Sequence, residues 1–150
     1  MNERIRLRQG PVTLREREFV VMSDIVRMYR QIWIHPSQRN LLRIVWFADQ
    51  TESIKHYELN TVTFGTSCEP FLATHTINQI ANENQEKFPQ SAEIMRKSFY
   101  VDVLVFGVDS VEEEIRRRNE IRLLLAQAGM TLSKLIQLSA VTTRFTFESS

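Results

Sequence analysis

Two aspartates set into the most strand-like runs of the chain constrain its fold more than any other feature. The run KSFYVDVLVFG, Lys97 to Gly107, carries Asp102, and SDIVRMYRQI, Ser23 to Ile32, carries Asp24. Both lie against β-branched and aromatic residues of the kind that pack as a buried strand. A lone carboxylate among Val, Leu and Phe is costly unless it is paired, hydrogen-bonded or bound to a metal. Two of them in one chain point to one shared site.

A chain of 150 residues, 43% of them hydrophobic and 25% charged, is sized for one domain around one modest core. The formal net charge of +1 gives no whole-molecule case for nucleic-acid binding. Charge is nevertheless uneven, because residues 1–17 hold five arginines against two glutamates. Such a stretch fits either a phosphate-tracking arm or a solvated terminus or edge strand. Cys68 is the only cysteine, which excludes an intrachain disulfide and a Cys-type zinc site and fits a reducing compartment, cytoplasmic or nuclear. No apolar run approaches the ~20 residues that span a bilayer, and no apolar segment follows the Arg-rich start as in a signal peptide, so no membrane partner is expected. No repeat or linker-like tract divides the chain.

Hydrophobic patterning sets the expected elements. Glu18 to Met22 reads as a short buried strand that ends at Ser23-Asp24. Leu42 to Phe47 reads as a second β-rich run, and Lys55 to Gly65 as strand followed by loop. Pro70, tolerated in a first turn, opens a helix to about Glu86 with Ala73, Ile77, Ile80 and Ala81 on one face. Phe88 to Ser98 reads as a return connection, and Ser98 to Val108, by periodicity alone, as one unbroken buried strand. The clearest helix follows. Ser110 with Glu113 fits a capping box, Glu112 to Glu114 suit the positive helix end, Gly129 marks the stop, and Ile121, Leu124, Leu125 and Ala128 form its stripe. Weaker strand character returns in TTRFTF. The expected class is α+β, an antiparallel sheet with helices packed on one face.

From spacing alone, Asp24 and Asp102 fit turn formers or helix caps as well as metal ligands. Magnesium prefers hard oxygens, keeps several waters, and is held by one or two carboxylates together with substrate phosphates. Paired metals stabilise the attacking and leaving oxygens of an in-line displacement in polymerases and nucleases.

The order SDIVRMYRQIWIHPSQRNLLRIVW, then YELNTVTFGTSCEPFLATHTINQIA, then FYVDVLVFG, resembles a reverse-transcriptase palm, most closely that of the BEL/Pao group of LTR retrotransposons. The resemblance runs from about Glu18 to Lys134 and implies a palm-like sheet over 18–135, with 136–150 as a C-terminal extension. It further implies that Asp24 and Asp102 are catalytic and bind Mg2+ or Mn2+. Backbone amides from Ile25 through Val26 to Met28 would approach an incoming triphosphate, and Tyr29 would pack under the sugar and disfavour a 2′-hydroxyl. Phe64-Gly65 would form the loop whose backbone approaches nucleotide and template, a closeness that glycine allows. Tyr100 opens the third motif, which in the family reads Tyr, a variable residue, Asp, Asp at a hairpin tip. Lys134 falls near a lysine that contacts pyrophosphate.

Two positions depart from the family. Val103 replaces the second aspartate of the third motif, and Glu69 stands where a small residue beside the proline is usual. The first removes one of three clustered anions and implies impaired nucleotidyl transfer. The implied partners are an RNA or DNA template with primer, deoxynucleoside triphosphates and the rest of a Pol polyprotein. The rival reading is a catalytically inactive binding module for nucleic acid or protein, or a decayed fragment, too short for full fingers and thumb. A nuclease or nucleotide cyclase fits the carboxylates but leaves Tyr29 and Phe64-Gly65 unexplained.

Other reactive residues read as structural. His35, His56 and His75 lack metal-ligand spacing. Cys68 has no evident base. Arg116 to Arg118 follow Glu112 to Glu114 at i, i+4 spacing and are expected to pair within the helix. Trp33 and Trp46 read as core or hydrophobic-edge residues, although exposed aromatics also stack on single strands.

Overall fold

The computed structural model describes residues 17–47, 49 and 53–139. Its centre is a four-stranded antiparallel sheet built from β1 (Phe19–Asp24), β4 (Phe99–Tyr100), β5 (Val103–Val108) and β6 (Ile136–Ser139), in the order β4-β5-β1-β6. A separate two-stranded sheet pairs β2 (Arg43–Trp46) with β3 (Lys55–Glu58). The helices are α1 (Glu69–Glu83), α2 (Pro89–Ser98) and α3 (Val111–Gln127).

β1 and β4 both run antiparallel to β5, so they are parallel to each other with β5 between them. β5 and β6 stand in the same relation around β1. Helices α1 and α2 bridge the first parallel pair and α3 the second, which gives a β-α-β-β-α-β order of two interleaved crossover units. The class is α+β, as expected.

Strand alternation decides which side faces the helices. In β1 and β5, Val21 lies opposite Phe106 and Ser23 opposite Leu104, and all four are buried, while Val20, Met22, Val103 and Val105 on the other side are half-buried. The inner side joins Ala73, Ile77, Ile80 and Ala81 of α1, Ala92 and Met95 of α2, and Ile121, Leu124 and Leu125 of α3 in one core. Both sequence-expected stripes are therefore in place, Ala128 being half-buried at the rim.

Helix ends follow from local chemistry. The Ser110 hydroxyl accepts from the Glu113 amide at 3.1 Å, and the Glu113 carboxylate accepts from Asp109 N–H at 3.2 Å, one residue before the usual reciprocal partner. Gly129, at φ 72°, supplies the left-handed stop. Helix α1 ends at Glu83, earlier than expected, where the Asn84 side chain donates to the Ile80 carbonyl at 2.9 Å.

Several expectations are corrected. The connection Phe88 to Ser98 is mostly helix α2: Pro89 opens it, and on its buried face Met95 stands beside Ser91 and Ala92, whose small side chains leave no apolar stripe. Ser98 to Val108 is a hairpin, because Val101-Asp102 form a two-residue turn between β4 and β5. The β-rich run around Leu42 to Phe47 does form a strand, β2, and every residue of β2 and β3 is exposed. Trp33 and Trp46 are 69% and 62% exposed, with the Arg39 guanidinium 5.9 Å from the Trp33 ring. Arg118 pairs with Glu114 as expected, but Arg117 turns to Glu120 at 3.0 Å. The sheet continues past residue 135 into β6, whereas TTRFTF and all of the 1–17 arm except Arg17 lie outside the described residues. Among the described residues, no helix is long and apolar enough to cross a membrane.

Candidate active site

Asp24 is the last residue of β1, and Asp102 is the second residue of the β4-β5 turn. In the sheet register Asp24 lies opposite Val103, and the Ile25 amide donates to the Asp102 carbonyl at 2.8 Å. The two aspartates thus leave the same end of the sheet from neighbouring strands. Neither is sunk among apolar side chains: Asp24 is exposed on the side away from the helices and Asp102 is half-buried. The apolar neighbours that made both look enclosed belong largely to the opposite side of the pleat.

A residue that the sequence did not single out holds Asp24. The Ser133 hydroxyl donates to Asp24 Oδ1, its amide donates to the Asp24 carbonyl at 2.7 Å, and its Oγ lies 3.3 Å from the Asp24 amide as acceptor. The Ser23 hydroxyl completes the tie by donating to the Ser133 carbonyl at 3.2 Å. A single serine in the stretch Thr131 to Lys134 carries no periodicity or motif, so only the adjacent Lys134 hinted at this segment.

Backbone strain concentrates beside both carboxylates. The non-glycine residues at positive φ among the described residues are Val101, at 58°, and Arg27, at 50°. Val101 immediately precedes Asp102, and Arg27 follows Asp24 by three residues. A positive φ at the first position of a two-residue hairpin turn normally calls for glycine, and a β-branched side chain there costs of order 1–3 kcal/mol. Such strain persists where surrounding contacts over-determine the backbone, as at ligand sites.

The glycine loop closes the same region. Gly65 adopts φ 86°, and its N–H donates to the Glu69 carboxylate at 2.6 Å. Phe64 meets the Tyr29 ring edge-to-face, with centroids 4.8 Å apart at 79°. Tyr29 is buried, and its hydroxyl is held above the ordinary phenol range, first by burial and then by the negative charges of Glu69 and Asp102. Tyr29 thus packs on the Phe64-Gly65 loop within reach of the Glu69 and Asp102 charges.

That shift has a testable sign. A phenol whose folded pKa is raised stays protonated while the unfolded chain ionises, so its contribution is complete below about pH 10 and is lost as pH rises further. Urea unfolding between pH 9 and 11 is expected to show stability falling with pH, and Tyr29→Phe is expected to flatten that fall.

The remaining sequence-derived residues divide. The Ile25 and Val26 amides are already bonded, to the Asp102 and Thr131 carbonyls, each at 2.8 Å. The 3-10 helix Met28–Gln31 follows them, with Arg27 in the left-handed conformation at its N-cap. Tyr100 is exposed on β4 opposite Val103, and Lys134 is exposed next to Ser133. His35, His56 and His75 are all exposed; the His35 ring bonds Ser37, and His75 stacks on Phe71.

Among the described residues, no group of three or more His, Cys, Asp or Glu side chains is arranged to hold a metal ion. Two carboxylates at neighbouring strand ends suit magnesium that keeps its waters and draws further oxygens from a phosphate substrate, rather than an all-protein cage. Ser133 engages one oxygen of Asp24 and leaves Oδ2 outside that bond. No family model matches the chain, and no curated protein matches it either.

Proposed function

We propose that this chain is a reverse-transcriptase-like palm whose nucleotidyl transfer is impaired by Val103. The observation that carries the reading is the convergence of Asp24, Asp102, Tyr29 and the Phe64-Gly65 loop at one end of the sheet, with backbone strain beside both aspartates. These residues lie far apart in sequence, and the resemblance assigns all of them to one site.

In this reading a primer 3′-hydroxyl attacks the α-phosphate of a deoxynucleoside triphosphate, forming a phosphodiester and releasing pyrophosphate. Asp24 and Asp102 would hold magnesium, which when bound offsets phosphate charge in the displacement. Ser133 fixes the Asp24 carboxylate, and the strained Val101 turn fixes Asp102. The buried Tyr29 ring, braced by Phe64, forms a wall against a 2′-hydroxyl. Gly65 lets backbone approach the nucleotide.

Two observations favour a rival reading as a binding module without turnover. Val103 places an apolar side chain opposite Asp24, and Glu69 occupies the Gly65 amide that would otherwise face a ligand. Primer extension on an RNA template with magnesium or manganese separates the two. Weak extension abolished by Asp24→Asn supports the polymerase reading. Template binding that Asp24→Asn leaves unchanged, with no extension, supports the binding module.

A further inference from the structure

Behind Ser133 lies an open hollow lined by Arg118 and Arg122 of α3 and by Leu132, Lys134 and Leu135 of the segment that leads into β6. Three cations face it. The acidic partner found for them among the described residues is Glu114, 3.6 Å from Arg118, a long contact for an ion pair. Arg118 Nε is buried with no hydrogen-bond partner. A buried guanidinium N–H without an acceptor is uncommon, because it forfeits hydration without recovering a bond. The hollow therefore carries excess positive charge.

We infer that this hollow grips a backbone phosphate of a nucleic-acid strand running past Asp24. The inference rests on the palm reading and names where its strand is held. The lining separates a phosphodiester from a free polyphosphate. Ser133 spends its hydroxyl and amide on Asp24, so these donors form no cradle of the kind that wraps compact phosphates. The exposed Arg122 and Lys134 at the rim of an open hollow instead suit a singly charged phosphate on a strand that passes across it. Through Ser133 the hollow is one residue from the Asp24 carboxylate, so a phosphate there would set the path of the strand relative to the site.

The test is the salt dependence of binding to a labelled RNA–DNA hybrid, followed by fluorescence anisotropy with the whole chain. Arg122 and Lys134 are exposed, and neither has an acidic partner among the described residues, so the double variant Arg122→Gln, Lys134→Gln spares the fold. It is expected to weaken binding about tenfold at low salt and to reduce the slope of log affinity against log salt by about 0.9 for each phosphate that is no longer neutralised. Lys87→Gln, which removes an exposed cation beside Phe88, is expected to leave the slope unchanged. An unchanged slope in the double variant, or an equal weakening in Lys87→Gln, overturns the hollow while leaving the palm reading intact. Wild-type chain that binds no hybrid overturns both. Protection against thermal unfolding by inorganic pyrophosphate alone, abolished in the double variant, would assign the hollow to free phosphate and overturn the backbone assignment.

Discussion

Val103→Asp is expected to raise affinity for manganese, measured with a deoxynucleoside triphosphate present, by about 10- to 100-fold, the range typical of metal-site changes. Primer extension is expected to rise with it above the wild-type level. The reason is positional. Val103 lies directly opposite Asp24 in the β1-β5 register and follows Asp102 in the chain. Opposed side chains in an antiparallel pair have Cβ atoms about 4.5–5.5 Å apart, so the new carboxylate faces that of Asp24. Without metal the same change carries a penalty, since like charges directly opposed destabilise a strand pair by up to about 1 kcal/mol. The variant is thus expected to melt below wild type in chelator and to recover more than wild type when manganese is added, because a ligand bound only by the native state stabilises it. A variant that gains neither metal affinity nor extension would show that the chain is not a competent polymerase.

Leu104→Ala is expected to cost about 3 kcal/mol, whereas Trp46→Ala is expected to stay within about 0.5 kcal/mol. Leu104 is 1% exposed on β5, on the side that faces the helices. Its truncation leaves a cavity at the centre of the only large core among the described residues, and the neighbouring strands cannot collapse into it without breaking register. Trp46 has the larger side chain but sits on a hairpin whose strands are exposed on both sides. For a chain of this length the Leu104 change corresponds to a melting shift of roughly 6–12 °C. Urea midpoints with unchanged m-values would confirm that stability, not the denatured state, has moved.

The two long helices were legible because their information is periodic and dense. Four buried residues at helical spacing in α1, and a cap, an acidic first turn and a glycine stop in α3, all point the same way. Helix α2 was not, because it buries Ser91 and Ala92, residues whose small side chains leave no hydrophobic signal. The strands β2 and β3 were legible as strands, but not their setting: Ile44, Val45 and Trp46 are exposed. Periodicity also hid the β4-β5 turn, since Val101 takes a positive φ that β-branched residues rarely adopt.

At the site, the aspartates were legible by residue type but not by environment. Alternation along β1 carries Asp24 to the outer side while its apolar neighbours Val21 and Ile25 go inward. Ser133 was invisible because its role depends on a partner 109 residues away in sequence. The Ile25 and Val26 amides illustrate the same limit: which amides face a ligand depends on bonds to Asp102 and Thr131 that only the folded chain reveals.

The central claim is that Asp24 and Asp102 act as one site. A double-mutant cycle on manganese affinity, read from the paramagnetic resonance of free manganese with triphosphate present, tests it most directly. Asp24→Asn and Asp102→Asn are each expected to weaken binding by about 10- to 100-fold, and the double variant little further. Effects that simply add, or affinity that neither substitution changes, would contradict a shared site.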